Sequence, residues 1–329
     1  MAGADILMQN PRLARSYHLH FVGDWGRANF HRICSWLTEE FCKRSGPWSR
    51  VSISSIRGGG IEAVHRVEDG EVDLSIATPA KLISQALAGK GIFAGRAAPH
   101  LRALAVLPQN DRMVLAVRSD LEITSFEELR RKRPSIRIAS CRDDGTSFIG
   151  HVARLFMRAH GVSDEILRDW GSSYIEDTNP IDSLARMQRG EADAVLQEAI
   201  MTPHWAELVE SGRVHVLSAE PDALAQMQMA TGLPSNGLPA GYWSSLKHPV
   251  DALDFSDFVI LVRDDMQEEV AHLLTWCLVE TRAAIEQQYL HLVPNRSPLS
   301  YPLIPRQMAR TPVPLHPGAK RYYREAGLL

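Results

Sequence analysis

The chain has almost no surplus of charge, no paired-cysteine motif and no long apolar run, and each absence removes a class of function. Its 36 basic and 39 acidic residues leave a formal net charge of -3. No global field therefore draws it to nucleic acid. The densest basic run, Arg130 to Arg133, follows a predicted helix and reads as a solvated helix end. The four cysteines, Cys34, Cys42, Cys141 and Cys277, include no Cys-x-x-Cys spacing, which argues against a zinc or redox motif. Cys34 and Cys42 share one predicted helix and lie about 12 Å apart along its axis, too far for a disulfide. Buried free thiols are expected. No apolar run approaches the ~20 residues of a membrane span, so no direct membrane insertion is expected. Asp5, Arg12 and Arg15 interrupt the first sixteen residues, so a secretory h-region is missing. Gly-x-Ser-x-Gly, Gly-x-x-x-x-Gly-Lys and His-Glu-x-x-His motifs are absent.

At 329 residues the chain is long enough for two lobes. Strands alternate with helices from the start. Tyr17–Val22, Val51–Ile56 and Val72–Ala77 read as strands, and Asn29–Lys43 carries a helical stripe of Phe30, Ile33, Leu37 and Phe41. This order predicts a mostly parallel sheet with right-handed crossovers. Leu101–Leu107 and Met113–Arg118 are two further strands with Pro108–Arg112 between them, where a first crossing between lobes is expected. The alternation then restarts. Ser125 and Glu128 form a capping box. Ile136–Ser140, Trp170–Ile175, Ala192–Gln197 and Val214–Ser218 are strands, and the return crossing is expected near the last of these. Lobe one is thus expected to comprise 1–111 plus 216–329, and lobe two 112–215. A late strand, Phe255–Val262, precedes a long amphipathic helix, Gln267–Tyr289. The tail from Leu292 to Pro317 holds seven prolines and is expected to lie extended.

In open α/β sheets, ligands sit beyond the carboxyl ends of the strands. Four segments fall there: Asp24–Phe30, Gly58–Gly60, Ala77–Thr78 and Asp143–Ser147. All lead into helix N-termini, whose free N–H groups favour an anion. The expected ligand is a small carboxylate or similar anion. Gly58, Gly59 and Gly60 either let backbone approach it or form only a tight turn. Thr78 either donates its hydroxyl to the ligand or caps the next helix. One of Asp143 and Asp144 is expected to cap the helix after Gly145, while Thr146 and Ser147 offer donors or caps. Trp25 and Phe30 form an apolar wall or, for Phe30, core. Asn29 caps or binds, and Glu198 meets a ligand amine, makes a hydrogen bond between lobes, or lies on the surface. His18 and His20 face one side of a strand without a third metal ligand nearby. No metal or cofactor is expected.

Several segments resemble the TAXI family, the solute receptors of tripartite TRAP transporters. Arg57-Gly58-Gly59-Gly60 through Gly70-Glu71-Val72-Asp73-Leu74-Ser75-Ile76 is similar to its T-G-G-S…G-E-A-D-L-G-I block. Leu101–Leu107, Ile123–Leu129 and Gly190–Ala194 follow in the family's order. Pro314-Leu315-His316-Pro317-Gly318-Ala319 through Tyr322-Tyr323-Arg324-Glu325-Ala326-Gly327 is close to its terminal P-x-H-P-G-A-x-x-Y-Y-x-E-x-G signature. Arg142-Asp143-Asp144-Gly145-Thr146 stands in place of the family's G-S-G-T, and Gly23–Phe30 in place of a loop rich in glycine and tyrosine. The resemblance implies an α/β, two-lobed type II periplasmic-binding-protein fold, each lobe a mostly parallel sheet flanked by helices and joined by hinge strands. It implies Venus-flytrap closure on a small anion, a TRAP membrane permease as partner, and a periplasmic location. The missing export segment instead leaves the chain, as written, in the cytoplasm. A cytoplasmic enzyme of decarboxylase or cofactor-biosynthesis type on the same fold is the alternative, with His65, Asp24, Asp143 or Glu198 as acid–base groups. A metabolite sensor is a third reading.

Overall fold

The computed structural model describes residues 10–24, 29–56 and 60–329, with the Asp24 side chain excepted. The chain begins β1 (His18–Asp24), α1 (Asn29–Cys42), β2 (Arg50–Ile56), α2 (Ile61–Glu68), β3 (Leu74–Ala77) and, after two short 3-10 turns, β4 (Leu101–Leu107). It crosses into β5 (Arg112–Arg118), α3 (Phe126–Lys132), β6 (Arg137–Cys141), α4 (Phe148–Ala159), α5 (Asp164–Asp169), β7 (Ser173–Asp177), α6 (Pro180–Gln188) and β8 (Ala194–Gln197). There follow α7 (Pro203–Glu210), β9 (Val214–Leu217), α8 (Pro221–Thr231) and β10 (Leu253–Asp254). The chain then returns through β11 (Phe258–Arg263) to α9 (Glu268–Glu280), α10 (Arg282–Glu286), α11 (Pro305–Met308) and α12 (Pro317–Glu325).

Two sheets result. The first runs β2-β1-β3-β11-β4, with β1 parallel to β2 and β3 and with β11 antiparallel to both β3 and β4. The second runs β10-β5-β8-β6-β7, with β6 parallel to β7 and β8 and with β5 antiparallel to β8. β9 and β10 both pair with β5, so the chain stays with the second sheet past the return expected near 216 and leaves it only after Asp254. Segment 218–252 contains no strand long enough to be seen in an alternation pattern, so the crossing could not be placed from periodicity.

Each sheet is covered on both faces, which is why β3 and β5 are apolar almost throughout. On one face of the first sheet α1, α9 and α12 enclose Phe21, Leu37, Phe41, Leu104, Ile260 and Leu278. The other face belongs to a cluster that includes Val22, Val64 and Phe93 from this sheet's side and Phe148, Val152 and Met113 from the second sheet's side. The lobes thus share buried apolar surface.

The tail departs from the extended run expected where it forms α11; after it, α12 docks on α9. A Cβ on Gly318 would lie 2.2 Å from the Glu268 carbonyl oxygen, so only glycine permits this approach. His316 caps α12, accepting from Gly318 N–H at 3.1 Å, and its own N–H donates to Ala103 of β4 at 2.9 Å. Tyr323 donates to the Leu104 carbonyl at 3.2 Å and Tyr322 to Glu280 at 2.6 Å. These contacts account for His316, Gly318, Tyr322 and Tyr323 of the terminal signature. The long helix is also broken: Thr281 turns its hydroxyl onto the Cys277 carbonyl at 2.7 Å and accepts from Trp36 Nε1 at 3.2 Å, separating α9 from α10. Further along, Arg296 reaches the far lobe, donating to the Gly241 carbonyl at 3.2 Å with its guanidinium 5.0 Å from the Tyr242 ring centre. All four cysteines are free, and burial pushes the Cys34 and Cys277 thiols up to about 12. Cys42 is only half-buried.

Candidate functional site

β1, β2, β3 and β4 end at one edge of the first sheet, and β6 and β8 end at an edge of the second. The two edges meet. Gly60 and Ser147 form an isolated antiparallel bridge, and Ile61 N–H, the first amide of α2, donates to the Thr146 carbonyl at 3.2 Å. The expected approach of the Gly60 and Thr146–Ser147 segments is therefore present, but with protein as the partner: a free amide at the start of one helix is satisfied by a carbonyl of the opposite lobe. Gly60 has φ 91°, and a Cβ there would fall 2.2 Å from Phe148 Cδ2. Phe148 is fixed edge-on against Phe93, their ring centres 5.8 Å apart.

The loop before α4 corrects one expectation. Neither Asp143 nor Asp144 caps the helix; Ser147 does, accepting from Gly150 N–H at 3.3 Å. Asp144 instead accepts both from the Thr146 N–H, at 3.1 Å, and from the Thr146 hydroxyl, making a local Asx turn. Gly145, at φ 81°, supplies the left-handed residue of that turn. Both donors of Thr146 are thus occupied. Asp143 lies 3.7 Å from His151, whose hydrogen bond holds its carboxyl below the usual range. Gly150 packs so closely on the loop that a Cβ would sit 1.8 Å from the Arg142 carbonyl oxygen.

On the first lobe, Thr78 does not cap. The 3-10 turn Ala80–Gln85 starts at Pro79 without a side-chain cap, and Ala80 N–H is taken by the Ser256 and Asp257 carbonyls at 3.2 and 3.0 Å. The Thr78 hydroxyl is buried with no hydrogen-bond partner. Phe30 is core, edge-on to Phe258 with ring centres 4.9 Å apart. Asn29 ties α1 to the tail, donating to the Pro298 carbonyl at 3.0 Å and accepting from the Tyr289 hydroxyl. Asp24 ends β1 in register with Ile56, while its side chain, Trp25, Gly58 and Gly59 lie outside the described residues. His20 bonds Ser54 at 2.7 Å, and among the described residues no group of three or more His, Cys, Asp or Glu side chains is placed to hold a metal.

Glu198 is buried and hydrogen-bonds Asp111, which lies in the first crossing. The Asp111 carboxylate also accepts from Arg112, Ala199 and Ile200 N–H at 2.7, 3.0 and 3.1 Å, pinning the turn after β8 to the hinge. Burial raises the Asp111 pKa, with these bonds opposing it. An unfolded aspartate loses its proton near pH ~4, whereas the fold retains it to higher pH. Stability from this group is therefore greatest in acid and declines as pH rises through the raised folded value. Denaturant unfolding between about pH 4 and about pH 8 should show a shallower decline for Asp111→Asn than for the unaltered chain. Parallel curves would contradict this.

Sequence reasoning missed Asp111, and with it the rest of the hinge network. Arg112 donates to the Asp111 carbonyl at 2.7 Å, to Ser256 at 3.2 Å and to Asn110 at 2.8 Å. The signal available was the polar cluster Gln109–Arg112 set between two apolar strands. A second missed group lines the carboxyl edge of the second sheet. Ser183 donates to Asp177 at 3.0 Å, Arg186 donates to the same carboxylate at 2.8 Å, and Gln197 donates to Ser183 at 2.9 Å. Gln197, fully buried at the end of a strand, was the clue.

Two sheets with crossing strands and a shared edge define a class, the two-lobed type II periplasmic-binding-protein fold. MatC from Rhodopseudomonas palustris, solved with bound malate, has a similar fold at TM-score 0.52 and 12% identity, covering 95% of this chain and 97% of that one. The periplasmic binding protein BugD is similar at TM-score 0.52 and 11% identity, over 95% of this chain and 98% of its own. The chain belongs to the NMT1-like family, whose model matches residues 33–327. No curated protein matches the sequence.

Proposed function

We propose that this chain is a solute-binding protein that closes its two lobes on a small organic anion of carboxylate class and delivers it to a TRAP-type membrane permease. The observation that carries the reading is the bridge between Gly60 and Ser147, which joins the carboxyl edges of both sheets; the buried, unpartnered Thr78 hydroxyl follows the end of β3 in the first of them. In this reading the bridge belongs to the closed form, and ligand stabilises closure in proportion to its differential affinity for that form. The malate bound to MatC supports the ligand class. The bonds made by His316, Gly318, Tyr322 and Tyr323 explain why the terminal signature shared with the TAXI family is useful to this architecture. In this reading the lobes are 10–111 with 255–329, and 112–254.

Calorimetric titration of the full chain with malate, succinate and glutamate tests the proposal. One of these should bind with one-to-one stoichiometry and remain chemically unchanged. Thr78→Val should weaken that binding by about tenfold, the worth of one hydrogen bond to a charged group. Its melting temperature should be equal or higher, because an unsatisfied buried hydroxyl is removed. Failure of all three acids to bind, or steady turnover of one, sinks the reading.

A further inference from the structure

Beside the hinge lies a cavity of about 460 Å³ whose walls come from both interlobe crossings, from Lys81, from Asn236 and from the tail segment 294–300. Its size is that of a small-molecule site. Its charges are balanced internally. Lys81 pairs with Asp254 at 2.8 Å, Asn236 donates to the other Asp254 oxygen at 3.1 Å, and Arg112 lies 3.9 Å from it. Asp257 accepts from Gln109 N–H at 3.1 Å, and burial raises its pKa toward the neutral form. Lys81 and Arg112 thus both face Asp254, so the lining carries no cluster of one sign of charge.

Two polar atoms of the lining have no partner. Gln109 lines it, is only 8% exposed, and has its side-chain Oε1 buried with no hydrogen-bond partner. The Ser300 hydroxyl on the tail wall is likewise buried and unpartnered. Among the lining residues the only rings are those of Pro108 and Pro294, so no aromatic face is there to stack on a flat apolar ligand. We propose that it is a further binding site, for an uncharged hydroxyl-rich small molecule. Its O–H groups donate to Gln109 Oε1 and Ser300 Oγ, while its oxygens accept from Lys81 and Asn236. Since both crossings form the walls, occupancy of this site bears on the hinge itself.

The test is ligand-observed saturation-transfer NMR on the full chain with glycerol, erythritol and myo-inositol, and with malonate and putrescine as charged probes. At least one polyol should bind saturably in the millimolar range or tighter. Gln109→Leu should weaken it by about tenfold or more without lowering the melting temperature, since the acceptor it removes is unpaired. Ser300→Ala should weaken it too, and serves if Gln109→Leu fails to fold. The proposal is overturned if no polyol saturates, if both variants bind as the unaltered chain does, or if malonate or putrescine occupies the cavity equally well.

Discussion

Gly60→Ala is expected to weaken anion binding by about 30-fold while costing the fold only the backbone strain of about 1–2 kcal/mol. Two effects contribute. At φ 91° an alanine is strained by about 1–2 kcal/mol whether the lobes are open or closed. The second effect exists only in the closed form, where the new Cβ would stand 2.2 Å from the Phe148 ring. Phe148 cannot swing away freely, because Phe93 packs edge-on against it. Parting the lobes is the least costly relief. A closure penalty of about 2 kcal/mol lowers apparent affinity by about 30-fold, since a ligand that selects the closed form must supply the difference. Calorimetry with the bound acid and small-angle scattering of the unliganded chain together check this. Shortening the obstacle with Phe148→Leu in the same background should recover part of the loss. Unchanged affinity in Gly60→Ala would mean that closure does not bring these segments together.

A larger loss of stability is expected at Gly150. Its ideal Cβ falls 1.8 Å from the Arg142 carbonyl oxygen, 2.4 Å from the Arg142 carbonyl carbon and 2.9 Å from Asp143 N. All three are backbone atoms, so no rotamer change relieves the overlap. Gly150→Ala must push the 142–147 loop off the start of α4, losing the cap between Ser147 and Gly150 at 3.3 Å and disturbing the bridge to Gly60. Overpacking of this kind costs about 3 kcal/mol, with loss of the cap adding about 1 kcal/mol. Gly145→Ala in the same loop is the control. It has φ 81° but open space around it, so only backbone strain of about 1–2 kcal/mol applies. Denaturant unfolding should rank Gly150→Ala well below Gly145→Ala, and equal midpoints would refute the packing argument.

Much of this architecture was legible because its strands are continuous apolar runs and its helices carry marked starts. Leu101–Leu107 and Met113–Arg118 announce themselves by composition, and Ser125 with Glu128 forms the cap expected of it, Glu128 N–H donating to Ser125 at 3.1 Å. The return crossing was not legible. β10 is two residues long and is recognised only by its pairing with Arg112 and Met113, more than a hundred positions earlier in the chain. The break at Thr281 depends likewise on Trp36 from a distant helix. At the site, periodicity placed Gly60, Thr78 and Ser147 at strand ends but could not say which polar groups would be used up internally. Asp144 spends itself on Thr146, whereas Ser147 takes the cap, and both arrangements have similar local sequence requirements. Asp111 and Gln109 went unremarked because their environment is made by segments near 198 and 257.

The Arg296 strap adds an attachment between the halves beside the two peptide crossings. Asn295 reinforces it, its carbonyl accepting from Asn110 at 3.1 Å and from the Tyr242 hydroxyl at 3.5 Å. Two crossings define one axis of swing, and the bonds that the tail makes beside that axis, to Asn110 and to Gly241, resist sliding and twisting out of it. The tail is thereby a clasp on the axis of the jaw, holding the two halves to one line of movement.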